Sequence, residues 1–130
     1  MNMDSQDRAK TKPIPLLKSF SYAICGILTC LKQERNIRIH LTVSVIVMIA
    51  SAFFSISKTE WVIVLLVIGG VLSLELINTA IERVVDLVTL ECHPLAKQAK
   101  DMAAGAVFVA VIFAVLIGLI IFLPDILEFF

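Results

Sequence analysis

Three long stretches without a charged residue constrain this chain more than any other feature of its sequence. They cover residues 41–57, 61–74 and 102–123. Hydrophobic residues make up 59% of the 130 residues and charged residues 17%, against roughly 45–50% and about 25% in an ordinary soluble domain. A helix needs about 20 predominantly apolar residues to cross the hydrocarbon core of a bilayer. The sequence therefore predicts an all-α integral membrane protein.

The uncharged stretches divide the chain into three expected membrane spans. The first is expected at residues 41–57 and the third at residues 102–123, with Pro124 marking the end of the third. The second stretch provides only about 21 Å of helix, which is less than the roughly 30 Å of a hydrocarbon core. The second span is therefore expected to continue through Glu75 and to cover residues 61–86.

Ahead of the first span, apolar residues recur at helical spacing, with polar residues and lysines between them. This pattern predicts an N-terminal amphipathic helix that lies on the membrane surface; the alternative is a bundle helix packed on the other three. A polar tail is expected at residues 1–13 and a single membrane domain at residues 14–130. The apolar residues of the pattern are Ile14, Leu16, Leu17, Phe20, Ile24, Ile27, Leu28 and Leu31.

The 11 cationic residues are distributed unevenly along the chain. Seven precede the first span, and three (Arg83, Lys97 and Lys100) lie at the end of the second span or between it and the start of the third, whereas only Lys58 lies in the first loop and none follows the third span. By the positive-inside rule, the N-terminus and the second loop are expected in the cytoplasm and the C-terminus outside. Because 11 acidic residues balance the cations, the net charge gives no sign of a nucleic-acid partner.

Polar residues follow one face of the second span. Glu75, Asn78, Glu82 and Asp86 are spaced by three, four and four residues, which places them on one stripe of a helix. Glu75 lies about 10 Å deeper than Glu82, where an acid is costly unless it has a function or a partner. We therefore expect a general base at Glu75. The alternatives are a structural carboxyl tied to another helix for Glu75, and ordinary solvated carboxylates for Glu82 and Asp86.

A second acidic site is suggested by Glu34, the only acid between Asp7 and Glu60. Magnesium is usually held by one or two protein carboxylates together with phosphate oxygens. Glu34 and Glu82 would supply that number, so they are the candidate magnesium ligands. The alternative is that Glu34 only pairs with neighbouring cations.

The second loop has the features of a phosphate site. Pro94 suits the first turn of a helix, and His93, Lys97, Lys100 and Asp101 would share one side of its start. Ammonium groups and free backbone amides at a helix start attract phosphate. The alternative is that the lysines only mark a cytoplasmic loop, as the positive-inside rule expects. No GxGxxG loop and no GxxxxGK loop followed by Ser or Thr occurs in the sequence. ATP would therefore be bound without a known soluble nucleotide fold.

Three segments make the chain recognisable: ERNIRIH at residues 34–40, GGVLSLELINTAIERVVDL at 69–87 and HPLAKQAKDMAAGAV at 93–107. In these segments the chain resembles the prokaryotic diacylglycerol kinase family of small integral-membrane lipid kinases. The resemblance extends from Leu17 to Pro124. The elements ERNxxxH, ELINTAIE and HPLAKxAKD are similar to the Gram-positive branch, whose members phosphorylate undecaprenol.

The resemblance implies a fold and a set of site residues. The implied fold is a surface helix with three transmembrane helices, assembled as a homotrimer in the bacterial cell membrane, with cytoplasmic active sites shared between subunits. Glu75 would take the proton from the lipid hydroxyl, and Asn78 would orient groups beside it. Glu34 and Glu82 would hold the Mg²⁺ that bridges the ATP phosphates. The nucleotide-binding residues implied by the motifs are Tyr22, Glu34, Glu82, Asp86, Glu91, His93, Lys100 and Asp101.

The predicted function is transfer of the γ-phosphate of ATP to a lipid alcohol, with undecaprenol as the leading candidate and diacylglycerol as the alternative. The family's enterobacterial branch prefers diacylglycerol. Compared with that branch, Pro15 stands in place of an arginine and Cys92 in place of an aromatic residue, which suggests a different headgroup end of the lipid site. A small proton-coupled membrane transporter would also use Glu75, but it gives no reason for the other site residues.

Overall fold

The computed structural model describes residues 15–130 and contains four helices. They are α1 (Leu16–Gln33), α2 (Arg35–Phe53), α3 (Lys58–Val88) and α4 (Pro94–Phe129). Within the described residues there is no strand, so the predicted all-α class is confirmed. The predicted polar tail lies outside the described residues, as does Ile14.

Three of the helices, α2, α3 and α4, are long and apolar enough to cross a membrane. This confirms the three membrane helices predicted from the uncharged stretches, by length and composition. Only 11–22% of the most apolar part of each helix is buried within the chain. Their remaining apolar surface suits a hydrocarbon environment, in which exposed apolar side chains carry no hydration penalty.

The helix ends differ from the ends of the uncharged stretches. Helix α2 begins at Arg35 and ends at Phe53, so it starts before the first uncharged stretch and stops before its end. Helix α3 continues through Glu75 as predicted, and its 31 residues give a length of about 46 Å. Charged residues such as Arg35 extend a helix as readily as apolar ones, so the absence of charge identifies the apolar part of a helix but not its ends.

The prediction that Pro124 ends the last helix is wrong, because α4 includes Pro124 and continues to Phe129. A proline inside a helix removes one backbone hydrogen bond and crowds the carbonyl four residues earlier. This disturbance is local, and membrane helices tolerate it when neighbouring groups satisfy the freed carbonyl. The apolar pattern on both sides of Pro124 therefore carries the helix past it.

Local capping interactions fix the starts of α3 and α4. Ser57 and Glu60 form a capping box, in which the Glu60 N–H donates to Ser57 Oγ and the Ser57 N–H donates to Glu60 Oε2 at 2.7 Å. At the start of α4, His93 Nδ1 accepts from the Leu95 N–H at 3.2 Å, and Pro94 occupies the first turn. These caps satisfy amides that have no partner inside the helix. The cap at His93 also fixes where the α3–α4 loop enters α4.

Helix α3 is central to the fold, because it contacts α1, α2 and α4. Its buried residues are Val64, Val71, Glu75, Asn78 and Thr79, so its apolar half and its polar half share one buried face. Near the α2–α3 loop, Val64 packs with Ile56 and Ile121. The polar half of this face forms the beginning of the candidate functional site.

Candidate active site

The polar stripe of α3 runs from the interior of the molecule to its surface. Glu75 is 2% exposed and Asn78 is 6% exposed, whereas Glu82 is half-buried and Asp86 is exposed. Among residues 15–130, no side chain forms a hydrogen bond with the Glu75 carboxyl group. The seven residues from Glu75 to Glu82 correspond to about 10 Å along the helix. The stripe therefore runs from a buried carboxyl group, Glu75, to an exposed one, Asp86.

Asn78 is the polar residue between these two carboxyl groups. Its Nδ2 donates a hydrogen bond to Glu82 Oε1 at 3.1 Å. Its Oδ1 is buried, and within the described residues it has no hydrogen-bond partner. Leaving a buried acceptor unpaired costs free energy. Asn78 is therefore oriented by Glu82 and presents an acceptor that a donor on a bound molecule could satisfy.

Helix α1 is fastened to α3 by its last turn. Arg83 Nη2 donates to Gln33 Oε1 at 2.8 Å and to Glu34 Oε1 at 3.3 Å. One turn earlier on α1, Cys30 Sγ donates to Thr79 Oγ1 at 3.6 Å. These contacts bring Glu34 to the side of α3 that carries Thr79 and Arg83, next to the polar stripe. Within the described residues, Glu34 is thus paired with a distant cation of α3 and not with the cations that neighbour it in the sequence.

Arg83 is a site residue that sequence reasoning missed. A signal was present, because Arg83 is the only cation between Lys58 and Lys97 and it directly follows Glu82. Its partners Gln33 and Glu34 are about fifty positions away in the sequence, and no local pattern connects them. The contact depends on how α1 and α3 face each other.

Charged residues also gather around a pocket of about 530 Å³ at the α3–α4 loop. Lys100 Nζ donates to Asp86 Oδ1 at 2.6 Å, across the loop. Lys97 pairs with Asp101 one turn along α4. The pocket places two ammonium groups and the cap of α4 together. Five of the predicted nucleotide-binding residues line it, namely Asp86, Glu91, His93, Lys100 and Asp101.

The other predicted nucleotide-binding residues lie elsewhere. Tyr22 is on the exposed surface of α1, and Glu34 and Glu82 belong to the corner between α1 and α3. None of the three lines the loop pocket. The two groups meet along α3, because Glu82 and Asp86 are one helical turn apart. A single chain therefore brings the predicted residues into two adjacent groups rather than one.

The Glu34 and Glu82 carboxylates fit magnesium only if a nucleotide and water supply the remaining ligands. Glu34 uses Oε1 for Arg83 and Glu82 uses Oε1 for Asn78, so the second oxygen of each makes no hydrogen bond to residues 15–130. Within the same residues, no group of three or more His, Cys, Asp or Glu side chains could hold a metal ion. Magnesium commonly takes one or two carboxylates and completes its shell with phosphate oxygens and water. Each carboxylate thus has one oxygen that a magnesium ion arriving with a nucleotide could bind.

An apolar groove of about 450 Å³ lies between α1 and α3, beside the polar stripe. Small residues such as Ala23, Gly26 and Ala80 line it, which leaves room for a chain of methylene groups. Arg83 is its one charged lining residue among those described. The groove thus leads along an apolar surface to the corner that holds Glu34.

Comparisons with known proteins agree with the motifs. Residues 21–122 match the family described as prokaryotic diacylglycerol kinase. The undecaprenol kinase of Bacillus subtilis (strain 168) is 48% identical over 122 residues, which cover 94% of this chain and 98% of that protein. A diacylglycerol kinase of Synechocystis sp. is 43% identical over 87% of this chain and 65% of its own length. One of Pseudomonas aeruginosa is 36% identical over 73% of this chain and 77% of its own length. The chain therefore belongs to the prokaryotic diacylglycerol kinase family, as its motifs predicted.

Proposed function

We propose that this protein transfers the γ-phosphate of ATP to the hydroxyl group of a membrane lipid alcohol, and that undecaprenol is its preferred acceptor. The observation that carries the proposal is the α3 stripe, which leads from the buried Glu75 through Asn78 to a pocket lined by lysines. A polar stripe that runs from a buried carboxyl group to a pocket with two lysines suits a reaction between a lipid and a nucleotide. The 48% identity with the Bacillus subtilis undecaprenol kinase supports the choice of acceptor.

The loop pocket is the proposed nucleotide site. Lys100 and Lys97 would exchange their carboxylate partners for phosphate oxygens, since exposed ion pairs of this kind are weak. Before the nucleotide binds, Asp86 would hold the Lys100 ammonium group in place, and the start of α4 would add the positive end of the helix dipole. Tyr22, Glu91 and Asp101 are proposed contacts implied by the family motifs.

Glu34 and Glu82 are the proposed magnesium ligands, each through the oxygen that makes no hydrogen bond to the described residues. When bound with ATP, magnesium supplies positive charge that offsets the charge developing on the transferring phosphoryl group. The protein's part is to orient the two carboxylates. Asn78 does this for Glu82.

Glu75 is the proposed general base. The lipid hydroxyl would give its proton to the Glu75 carboxylate while its oxygen forms a bond with the γ-phosphorus, and the bond from that phosphorus to the β–γ bridging oxygen would break to release ADP. As the lipid enters, Asn78 Oδ1 would accept a hydrogen bond from the hydroxyl group and so orient it, and the same proton would then pass to Glu75. Positioning of this kind provides much of the catalysis in phosphoryl transfer.

The proposed membrane arrangement follows the charge distribution. Helix α1 would lie at the cytoplasmic surface, where most of its apolar residues, which are exposed in the single chain, would enter the bilayer interface. The N-terminus and the active site would face the cytoplasm and the C-terminus the outside. We also propose a homotrimer in the bacterial cell membrane, with Tyr22 meeting the loop pocket of a neighbouring subunit. The zero net charge gives no reason to propose a nucleic-acid partner.

Two other activities remain for comparison. The Synechocystis and Pseudomonas relatives are named diacylglycerol kinases, so diacylglycerol is the second candidate acceptor. A proton-coupled transporter would need Glu75 but would have no use for the paired lysines of the loop pocket.

ADP release from protein in lipid vesicles separates these activities. With Mg²⁺ and ATP present, adding undecaprenol should start ADP release, adding diacylglycerol should give a slower rate, and vesicles without a lipid alcohol should give none. An absence of ADP release with every lipid alcohol would overturn the kinase function and favour the transporter.

A further inference from the structure

Arg83 has no role in the function proposed from the motifs, yet it makes the main polar contact between α1 and α3 among the described residues. One of its guanidinium nitrogens, Nη2, donates to both Gln33 Oε1 and Glu34 Oε1, at 2.8 Å and 3.3 Å. The Arg83 and Glu34 side chains are 44% and 34% exposed. The pair is therefore partly screened by water, and it directs a side chain more than it stabilises the fold.

Glu34 occupies an unusual position in the backbone. It is the single residue between α1 and α2, with φ −103° and ψ 131°. Its side chain does not cap α2, although a residue at this position commonly does. Within residues 15–130, Arg83 is the one cation that forms an ion pair with Glu34. The Glu34 carboxylate is therefore not held by a cap of α2, and Arg83 sets its direction.

Arg83 also lies directly after Glu82 on α3. Consecutive residues of a helix point about 100° apart, so Arg83 can hold Glu34 beside α3 without covering Glu82. The Glu82 carboxylate is in turn held by Asn78. Each carboxylate is thus oriented through one oxygen, and the contacts leave its other oxygen available to a ligand.

We propose that Arg83 is a positioning residue for the magnesium–nucleotide site, which it serves by holding the Glu34 carboxylate at the break between α1 and α2. This rests on the proposed function, in which Glu34 and Glu82 hold the metal. Residues that orient metal ligands often affect affinity almost as strongly as the ligands themselves. Arg83 acts through Glu34 and has no contact of its own with the reacting atoms.

The direct test measures metal affinity without turnover. Mn²⁺ replaces Mg²⁺, and its binding to purified full-length protein is followed by electron paramagnetic resonance with β,γ-methylene ATP and no lipid alcohol. Arg83→Ala should weaken Mn²⁺ binding about tenfold, and Arg83→Lys should recover part of the loss because it keeps a donor and the charge. Lys32→Ala is the matched control, since it removes an exposed cation from the same end of α1 and should leave the affinity unchanged.

A double-mutant cycle then shows whether Arg83 acts through Glu34. In a Glu34→Gln background, Arg83→Ala should cause no further loss of Mn²⁺ affinity, because the carboxylate that it orients is gone. An equal tenfold loss in both backgrounds would overturn the proposal. Unchanged or tighter binding by Arg83→Ala would also overturn it, since Arg83 would then be idle or would compete with the metal.

The proposed function fails in a distinguishable way. Wild-type protein that binds no Mn²⁺ in the presence of the nucleotide would remove the metal role of Glu34, and the role of Arg83 with it. Wild-type protein that binds Mn²⁺ normally, with Arg83→Ala equal to it, would remove only the role of Arg83. A drop in thermal stability without a change in Mn²⁺ affinity would assign Arg83 to the docking of α1 and also contradict the proposal.

Discussion

Polar side chains differ in burial and pairing between the inner half of the α3 stripe and the loop pocket at its outer end. In the inner half, Glu75 and Asn78 are almost fully buried, and Asn78 Oδ1 has no partner within the described residues. At the outer end, Lys100 and Asp86 are paired while their side chains remain 37% and 48% exposed. The inner region is buried and incompletely satisfied, and the outer region is exposed, with both of its lysines in ion pairs.

This difference indicates which part of the reaction each region serves. A buried unpaired group cannot turn to water, so its missing partner must come from a bound molecule. An exposed ion pair is easily exchanged for a stronger anion such as phosphate. In the proposed reaction, the fold would therefore fix the lipid end of the site in advance and leave the nucleotide end adjustable. The following predictions test that contrast.

The largest effect is expected at the inner end. Glu75→Gln keeps the size of the side chain but removes the proton acceptor, so kcat should fall about a thousandfold, while nucleotide affinity stays within a factor of two. Steady-state ADP release and equilibrium binding of an ATP analogue measure the two quantities. Glu128→Gln makes the same change at the exposed far end of α4 and should leave kcat unaltered. A Glu75→Gln protein with more than a tenth of wild-type kcat would refute the role of Glu75 as general base.

Asn78→Ala should have the next largest effect. It removes the buried acceptor and the donor to Glu82, and the loss of one buried hydrogen bond in the transition state, about 2 kcal/mol, corresponds to roughly thirtyfold in kcat. Thermal unfolding should change little, because an unsatisfied group disappears together with the bond. Equal losses of stability and kcat would instead assign Asn78 to packing.

The two lysines of the loop pocket should differ in importance. Lys100 bridges to α3 and is half as exposed as Lys97, whose side chain is 76% exposed and pairs only within α4. Lys100→Ala should therefore raise the KM for ATP about tenfold, against about twofold for Lys97→Ala, because a more buried charge interacts more strongly with phosphate. The KM for ATP, measured at saturating lipid, decides this. The reverse order would place the phosphates nearer to the outer turn of α4.

The smallest effect is expected from salt. Raising the NaCl concentration from about 0.05 M to 0.5 M shortens the Debye length and weakens exposed charge interactions. The KM for ATP should rise a fewfold, whereas the KM for the lipid alcohol and kcat should change little. A salt effect on kcat as large as that on KM would mean that the inner half of the stripe is more hydrated than its burial indicates.

Much of the stripe and the helix content could be predicted because both depend on local spacing. The intervals between Glu75, Asn78, Glu82 and Asp86 fix a common helix face without knowledge of any neighbour. The membrane helices follow from apolar length in the same way. The motifs predicted the family, and the match over residues 21–122 confirms it.

The remaining features depend on contacts between helices or on small energy differences. The pairing of Arg83 with Gln33 and Glu34 requires the angle at which the chain turns at Glu34, and no local pattern encodes that angle. The continuation of α4 past Pro124 depends on the balance between one lost hydrogen bond and the apolar residues on either side. The exposed position of Tyr22 within a single chain leaves its predicted contact with nucleotide as a proposal about the assembled protein.

One competition assay tests the central claim most directly. Undecaprenol and dioleoylglycerol are placed at equal concentration in the same vesicles with the protein, Mg²⁺ and γ-³²P-labelled ATP, and the labelled lipids are separated. The ratio of initial rates gives the ratio of the two kcat/KM values. Label should accumulate on undecaprenyl phosphate, and Glu75→Gln should transfer almost none. Label mainly on phosphatidic acid would contradict the proposed acceptor, and label on neither lipid would contradict the proposed kinase.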